Sequence, residues 1–191
     1  MIELKNKQKE SIAIVCMNYE YNKKLCCLLA EKLGMYYFNA VDLFEYEHIP
    51  RSFEQILTEF KEKYYRKKEK AILKYASSFT NSVLCLESGA VMKQRNMKNL
   101  KHNDLLVYVH IAKKKLENQQ SKTSYGSKIL NAFYKPNTEK LELRIKYAKK
   151  TTELQVNCTG FSVERAVAQI INSMKVYYAG KSLKSQNNVS L

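Results

Sequence analysis

Breakers of regular structure are scarce in this chain: five of its 191 residues are glycine and two are proline. No linker divides it, and neither an internal repeat nor a low-complexity block is present. Equally lacking is an apolar run near the roughly 20 residues that a membrane-spanning helix needs. The longest such runs are about a strand in length, so no membrane partner is expected. No C-x-x-C pair occurs among Cys16, Cys26, Cys27, Cys85 and Cys158. The set is odd and four of its members sit in or beside apolar segments, which predicts reduced core thiols, not a disulfide or zinc framework. His48, His102 and His110 are scattered at no metal-ligand spacing. Met1 to Glu10 lacks the apolar stretch and cleavage site of a signal peptide, which makes cytoplasmic residence the default expectation.

What is present is a 45% hydrophobic chain with 33 Lys+Arg against 18 Asp+Glu. That composition argues against disorder and for one domain, expected over residues 1–180, with an irregular, disordered tail over 181–191. The net charge of +15 invites a polyanion as partner. Much of it, however, is lysine spread through helical stretches: residues 101–150 hold twelve basic and four acidic residues. Solvated helix faces account for that pattern, so a nucleic-acid partner is not the first expectation.

Short apolar runs alternate with longer stretches of helical period. Ile12 to Met17 is a continuous apolar run, as a parallel strand buried on both faces requires. Leu25, Leu28, Leu29 and Leu33 follow at helical spacing and stop at Gly34, a natural C-terminal cap. Tyr36 to Phe38 reads as a short strand, followed by helical stretches over Ser52 to Phe60 and Lys61 to Ser77. Val83 to Leu86 and Leu105 to Ile111 are further strands, and Leu154 to Cys158 alternates like an edge strand. Val163, Ala166, Val167, Ile170, Ile171 and Met174 share one helical face behind Ser162, a plausible N-cap. Strands and helices alternating in this way predict a three-layer α/β domain with a mostly parallel sheet.

Several motifs in this order resemble the shikimate kinase family of P-loop kinases. Leu29-Ala30-Glu31-Lys32-Leu33-Gly34-Met35 closes a unit similar to the family's opening strand and helix, with Glu45 at its acidic position. Glu62-Lys63-Tyr64-Tyr65-Arg66-Lys67-Lys68-Glu69 fits the family's E-x-x-[FY]-R-x-x-E segment. Val83 to Val91 stands where the family has a strand followed by G-G-G-x-V, and Arg144 falls where it keeps a second substrate arginine. The resemblance runs from about Ile12 to Met174 and implies a P-loop NTPase-like, five-stranded fold.

The nucleotide side departs from that pattern. A P-loop needs glycines so that backbone N–H groups can approach phosphates, a lysine to neutralise them and a hydroxyl to hold Mg²⁺. The corresponding stretch, Cys16 to Lys24, contains no glycine. Asn22 takes the lysine position, with Lys23 and Lys24 at the hydroxyl positions. Glu20 would set a carboxylate beside the phosphates, where like charges about 4 Å apart repel by roughly 4 kcal/mol. Leu116-Glu117-Asn118-Gln119 lacks the family's adenine-contacting arginine, and Ser127-Lys128-Ile129-Leu130 replaces the lid motif R-P-L-L. Lys23, Lys24 and Lys128 are the remaining nucleotide-side candidates.

On the substrate side, the resemblance implies that Arg66 and Arg144 clamp a carboxylate, with Glu69 orienting Arg66 and Gly89 in the turn. Arg66 alternatively pairs with Glu69 or Glu62 at helical spacing. The family's D-x-D becomes Asn39-Ala40-Val41, with Asp42 one position late, and G-G-G becomes Glu87-Ser88-Gly89. Glu87 is placed where its carboxylate would reach Arg66 or Arg144 and imitate the absent substrate acid; the alternative is a solvent-facing Glu87.

These features imply a shikimate-kinase-like protein. The family reaction is ATP-dependent phosphorylation of the shikimate 3-hydroxyl, expected to be weak or lost here, with ATP and Mg²⁺ as cofactors only where activity survives. The alternatives are a non-catalytic module that binds a shikimate-like acidic metabolite or a protein, and a basic polyanion-binding protein.

Overall fold

The computed structural model describes residues 11–116 and 128–187. Five strands form one sheet: β1 (Ser11–Cys16), β2 (Tyr36–Asn39), β3 (Ser82–Leu86), β4 (Asp104–His110) and β5 (Leu154–Asn157). Their order is β2-β3-β1-β4-β5, and every pairing is parallel. Every residue of β1 and β3 is buried. Successive strand residues face opposite sides, so both faces of the central sheet are covered, as parallel strands joined by helical crossovers require. The three-layer α/β expectation holds, and the sheet is parallel throughout.

The helices with both ends among the described residues are α1 (Tyr19–Leu33), α2 (Ala40–Tyr46), α3 (Phe53–Ala76), α4 (Gln94–Asn103), α5 (Lys128–Tyr134), α6 (Thr138–Thr151) and α7 (Val163–Asn187), with a 3₁₀ turn at Ser88–Met92. Gly34 closes α1 in the left-handed region at φ 64°, and α7 opens with Ser162 Oγ accepting from Arg165 N at 3.3 Å. α3 is two helical halves joined at Lys61, whose φ of 65° and ψ of 167° break the ladder where the sequence divides into two stretches. Its start carries a capping box between Ser52 and Gln55. In place of the irregular tail expected from Lys181, α7 continues to Asn187. That stretch has no proline, and once a helix is nucleated each further residue adds a hydrogen bond at little cost.

Two apolar clusters hold the fold. The larger surrounds the sheet. The smaller is largely aromatic, with Tyr19, Phe44, Phe53, Tyr65, Phe133 and Tyr134 joining α1, α2, α3 and α5 beside the sheet's carboxyl end. Phe53 meets Tyr65 and Phe133 edge-on, with ring centroids 5.1 Å apart in both cases. Cys16, Cys26, Cys85 and Cys158 are buried free thiols, whereas Cys27 is exposed.

Candidate functional site

The turn after β3 brings a carboxylate to the sheet's carboxyl end. Glu87 is 1% exposed, and its side chain accepts from Gly89 N at 2.8 Å and from Ser88 Oγ at 2.9 Å. Arg66, from the second half of α3, places Nη2 2.7 Å from Glu87 Oε2. Arg144, from α6, donates from Nη1 to Glu87 Oε1 at 3.0 Å and to Ser88 Oγ at 2.7 Å. Both guanidinium groups therefore converge on one carboxylate supplied by the chain itself. Of the two arrangements open for Glu87 in the sequence, the structure takes the inward one and engages both arginines.

Arg66 is held on its other edges too. Its Nε donates to Glu62 at 3.0 Å and its Nη1 to Glu69 Oε1 at 2.8 Å. Its guanidinium lies 5.1 Å from the Tyr65 ring and 4.9 Å from the Phe133 ring, within cation–π range. Glu69 is buried, and its Oε2 accepts from Asn96 Nδ2 on α4 at 3.1 Å. Arg66 thus pairs with Glu62, Glu69 and Glu87 together.

Burial disfavours a charged Glu87, but Arg66 and Arg144 outweigh it and hold the carboxyl below the usual glutamate range. Glu69 goes the other way: burial pushes it up to about 7, opposed by Arg66 and reinforced by Glu87. Burial likewise works against a charged Arg66, yet Glu87 and Glu69 keep it firmly cationic. The centre is a network of buried charges neutralised from within, in which Arg66 Nη2 meets Glu87 as an ion pair without an aligned hydrogen bond and Tyr65 Oη is likewise left without one among the described residues.

Gly89 is needed for its size. A Cβ added there would lie 2.2 Å from Arg66 Nη2 and 2.7 Å from Glu87 Oε2. Of the expected substrate-side residues, the structure gathers Arg66, Arg144, Glu69 and Gly89 around Glu87.

The nucleotide side is built differently from a phosphate cradle. Only Met17 and Asn18 separate β1 from α1, so the expected loop over Cys16 to Lys24 is mostly helix. Asn18 caps that helix, its Oδ1 accepting from Tyr21 N at 3.0 Å, and its carbonyl accepts from Asn22 N at 2.9 Å. These contacts occupy amides of the first turn that a phosphate would use. Asn22 is buried and donates from Nδ2 to the carbonyls of Ile14 at 3.2 Å and Leu86 at 3.0 Å, tying β1 to β3. Tyr19 is buried, stacks on Tyr134 with centroids 4.3 Å apart, and meets the Asn39 side chain at 3.0–3.2 Å. Tyr21 Oη donates to the carbonyls of Phe161 and Ser162, both at 3.4 Å.

Lys23 lines an open cleft of about 300 Å³ beside Tyr19, Glu20, Asp42 and Glu45. Lys24 is exposed and Lys128 stands exposed at the start of α5; neither lines that cleft. Asp42 lies on α2, not on a strand, and burial raises its carboxyl against the pull of Lys23. Glu45 accepts from Phe53 N at 2.8 Å and so caps α3. Residues 117–119 and Ser127, which belong to the stretches that the resemblance aligns with adenine and lid contacts, lie outside the described residues. ATP and Mg²⁺ do not fit the residues present: the stretch from Cys16 to Lys24 has no glycine, its first helical turn is capped by Asn18, and buried Asn22 is committed to the carbonyls of Ile14 and Leu86.

Ser88, Asn96 and Phe133 complete the site without having been singled out from sequence. Ser88 lay inside the altered G-G-G segment, whereas Asn96 and Phe133 carry no local signal. His48 serves packing, its ring nitrogens meeting Phe44 O at 2.7 Å and Tyr64 Oη at 3.0 Å. Among the described residues, no helix is long and apolar enough to cross a membrane.

A parallel sheet in this strand order, with an arginine pair at its carboxyl end and a helix leading from the first strand, defines a P-loop-kinase type of α/β protein. The family model described as "SKI: Shikimate kinase" matches residues 24–175, and the chain belongs to the shikimate kinase family. It is shikimate-kinase-like in fold and in the order of its motifs, and the enzymes of that family use ATP and Mg²⁺. A protein of Arabidopsis thaliana named "Probable inactive shikimate kinase like 1, chloroplastic" is 35% identical over 92 residues, 48% of this chain. The match spans 33% of that relative's length. Shikimate kinase from Acinetobacter baumannii in complex with shikimate superposes with a TM-score of 0.77 at 17% identity, covering 88% of this chain and 94% of that one. The enzyme from Aquifex aeolicus gives 0.69 at 18% identity, covering 86% and 96%. At such identities these two likenesses show the fold alone.

Proposed function

We propose that this chain is a non-catalytic member of the shikimate kinase family, in which Glu87 occupies the place of the substrate carboxylate. The observation that carries this reading is the pair of contacts from one buried carboxylate to Arg66 at 2.7 Å and Arg144 at 3.0 Å. An arginine clamp recognises a carboxylate through charge and fork geometry. Here those donors are spent on the chain's own side chain, so an incoming acid would first have to displace a tethered competitor. Tethering gives that competitor a high effective concentration.

The nucleotide side supports the same conclusion. Phosphoryl transfer rests on positioning and charge stabilisation, and this chain has replaced the groups that would supply both. Asn39 stands at the first D-x-D position and is engaged in capping α2 and bonding Tyr19. It has no carboxylate with which to accept a substrate proton. The name of the Arabidopsis thaliana relative agrees with an inactive role. Lys23, Lys24 and Lys128 accordingly have no nucleotide role in this reading. Arg66, Arg144, Glu69 and Gly89 form a structural centre around Glu87, and a shikimate-like metabolite is excluded from it unless Glu87 moves. A protein partner and cytoplasmic residence remain parts of the proposal that rest on the sequence.

The test is a phosphoryl-transfer assay with ATP, Mg²⁺ and shikimate, together with thermal shifts for each ligand. The expected outcome is no turnover above background and no stabilisation by ATP that depends on Mg²⁺. Turnover in the range of about 1–100 per second, ordinary for kinases, would overturn the reading.

A further inference from the structure

Between α3 and α4, and past the bond from Asn96 to Glu69, lies an open cleft of about 560 Å³. Four cations line it: Lys70 and Lys74 from α3, Arg95 and Lys98 from α4. Asn99 and the hydroxyl residues Ser77 and Ser78 complete the lining, which contains no acidic and no aromatic side chain. None of the four cationic side chains pairs with another described residue, in contrast to Arg66 and Arg144.

The placement is locally unfavourable in three ways. Lys70 and Lys74 are four apart on one helix, and Arg95 and Lys98 three apart on the other, so each pair sets like charges side by side. Arg95 also lies in the first turn of α4, where the helix dipole disfavours a cation. All three arrangements face the same cleft, and an anion within it would relieve them together. The helix pair is held at a fixed spacing by the buried bond from Asn96 to Glu69, residues adjacent to Arg95 and Lys70.

We propose that this cleft binds a small, multiply phosphorylated anion. Its volume falls within the roughly 300–1,000 Å³ of small-molecule sites. Four converging cations suit several phosphate groups better than one carboxylate. An extended single-stranded nucleic acid is a poorer match, because its sites commonly add aromatic side chains on which bases stack. None of the lining residues lines the Tyr19 cleft or contacts Glu87.

The experiment is calorimetric titration of the full chain with inorganic tripolyphosphate at low and at elevated salt. ATP without Mg²⁺, inositol hexakisphosphate and a single-stranded RNA are titrated in parallel. Binding at one site, weakened by salt, is expected. Lys74→Glu with Arg95→Glu should weaken it by at least about tenfold, the equivalent of one lost charge-assisted bond. The control, Lys146→Glu with Lys175→Glu, carries the same change in net charge on exposed positions elsewhere and should bind like the parent. Lys74→Gln with Arg95→Gln provides the same comparison should the reversal variant fail to fold. Tighter binding of ATP or of the inositol phosphate than of tripolyphosphate supports the proposal and identifies the source of the phosphates. Absence of tripolyphosphate binding, equal loss in the control, or binding of RNA alone overturns it.

Discussion

Replacing Glu87 with glutamine keeps the side chain's shape and removes its charge. The carboxylate now sits between Arg66 Nη2 at 2.7 Å and Arg144 Nη1 at 3.0 Å, and also accepts from Gly89 N and Ser88 Oγ. An amide would turn donor hydrogens either toward Arg66 and Gly89 N or toward Arg144, groups that can only donate. Arg66 would keep Glu62 and Glu69, but Arg144 would lose its carboxylate while remaining buried. Breaking one side of a buried ion pair costs about 3–5 kcal/mol. In a chain of this size each kcal/mol moves Tm by roughly 2–4 °C, so Glu87→Gln should melt roughly 6–20 °C below the parent. Urea titration should show the same loss in midpoint with little change in slope. Glu62→Gln is the internal control, because Glu62 is 45% exposed and its pair with Arg66 should be worth no more than about 1 kcal/mol. A Glu87→Gln protein within about 1 kcal/mol of the parent would refute the claim that the centre depends on this charge.

Three further outcomes follow from the same geometry. Gly89→Ala should destabilise by about 1–3 kcal/mol by urea titration, since its Cβ would lie 2.2 Å from Arg66 Nη2 and the clamp would have to open. Stability should fall as pH rises from about 4.5 towards 7, because folded Glu69, held near 7, keeps a proton that the unfolded chain has released. Glu69→Gln should flatten the melting temperature across that window; Glu87 has the opposite sign, contributing fully at ordinary carboxylate-ionising pH and losing its effect only as pH falls through its lowered folded value. Asn22→Lys restores the residue type of a phosphate loop, yet it should cost at least about 3 kcal/mol and confer no stabilisation by ATP, because position 22 is buried against the carbonyls of Ile14 and Leu86.

The sheet was legible because parallel strands covered on both faces leave continuous apolar runs, as in Ile12 to Met17 and Val83 to Leu86. Gly34 and Ser162 were legible as boundaries because each meets a local backbone requirement; the division at Lys61 agrees with two separate helical stretches, though a lysine at φ 65° carries no signal of its own. The start of α1 was not. Expecting a loop there followed the family pattern, whereas Asn18 as N-cap and Glu20 in the first turn are ordinary helix-start signals that prevail once the glycines are gone. For the tail expected over 181–191, α7 runs on to Asn187 and residues 188–191 lie outside the described residues; absence of an apolar stripe removes a packing signal but does not end a helix already formed. At the arginine centre, the meeting of Glu87 with both guanidinium groups was readable as an electrostatic need. Two buried cations without an anion are costly, and the altered turn supplied one. Asn96 and Phe133 were not readable, since their roles arise only when α4 and α5 pack beside α3.

The most direct measurement is a calorimetric titration of shikimate into the unaltered chain and into Glu87→Ala. If Glu87 fills the carboxylate position, the unaltered chain shows no binding at concentrations up to about 1 mM, while removal of the side chain opens the arginine pair and produces measurable binding. Shikimate binding to the unaltered chain with a Kd far below about 1 mM would contradict the account, because the arginines would then be available despite Glu87.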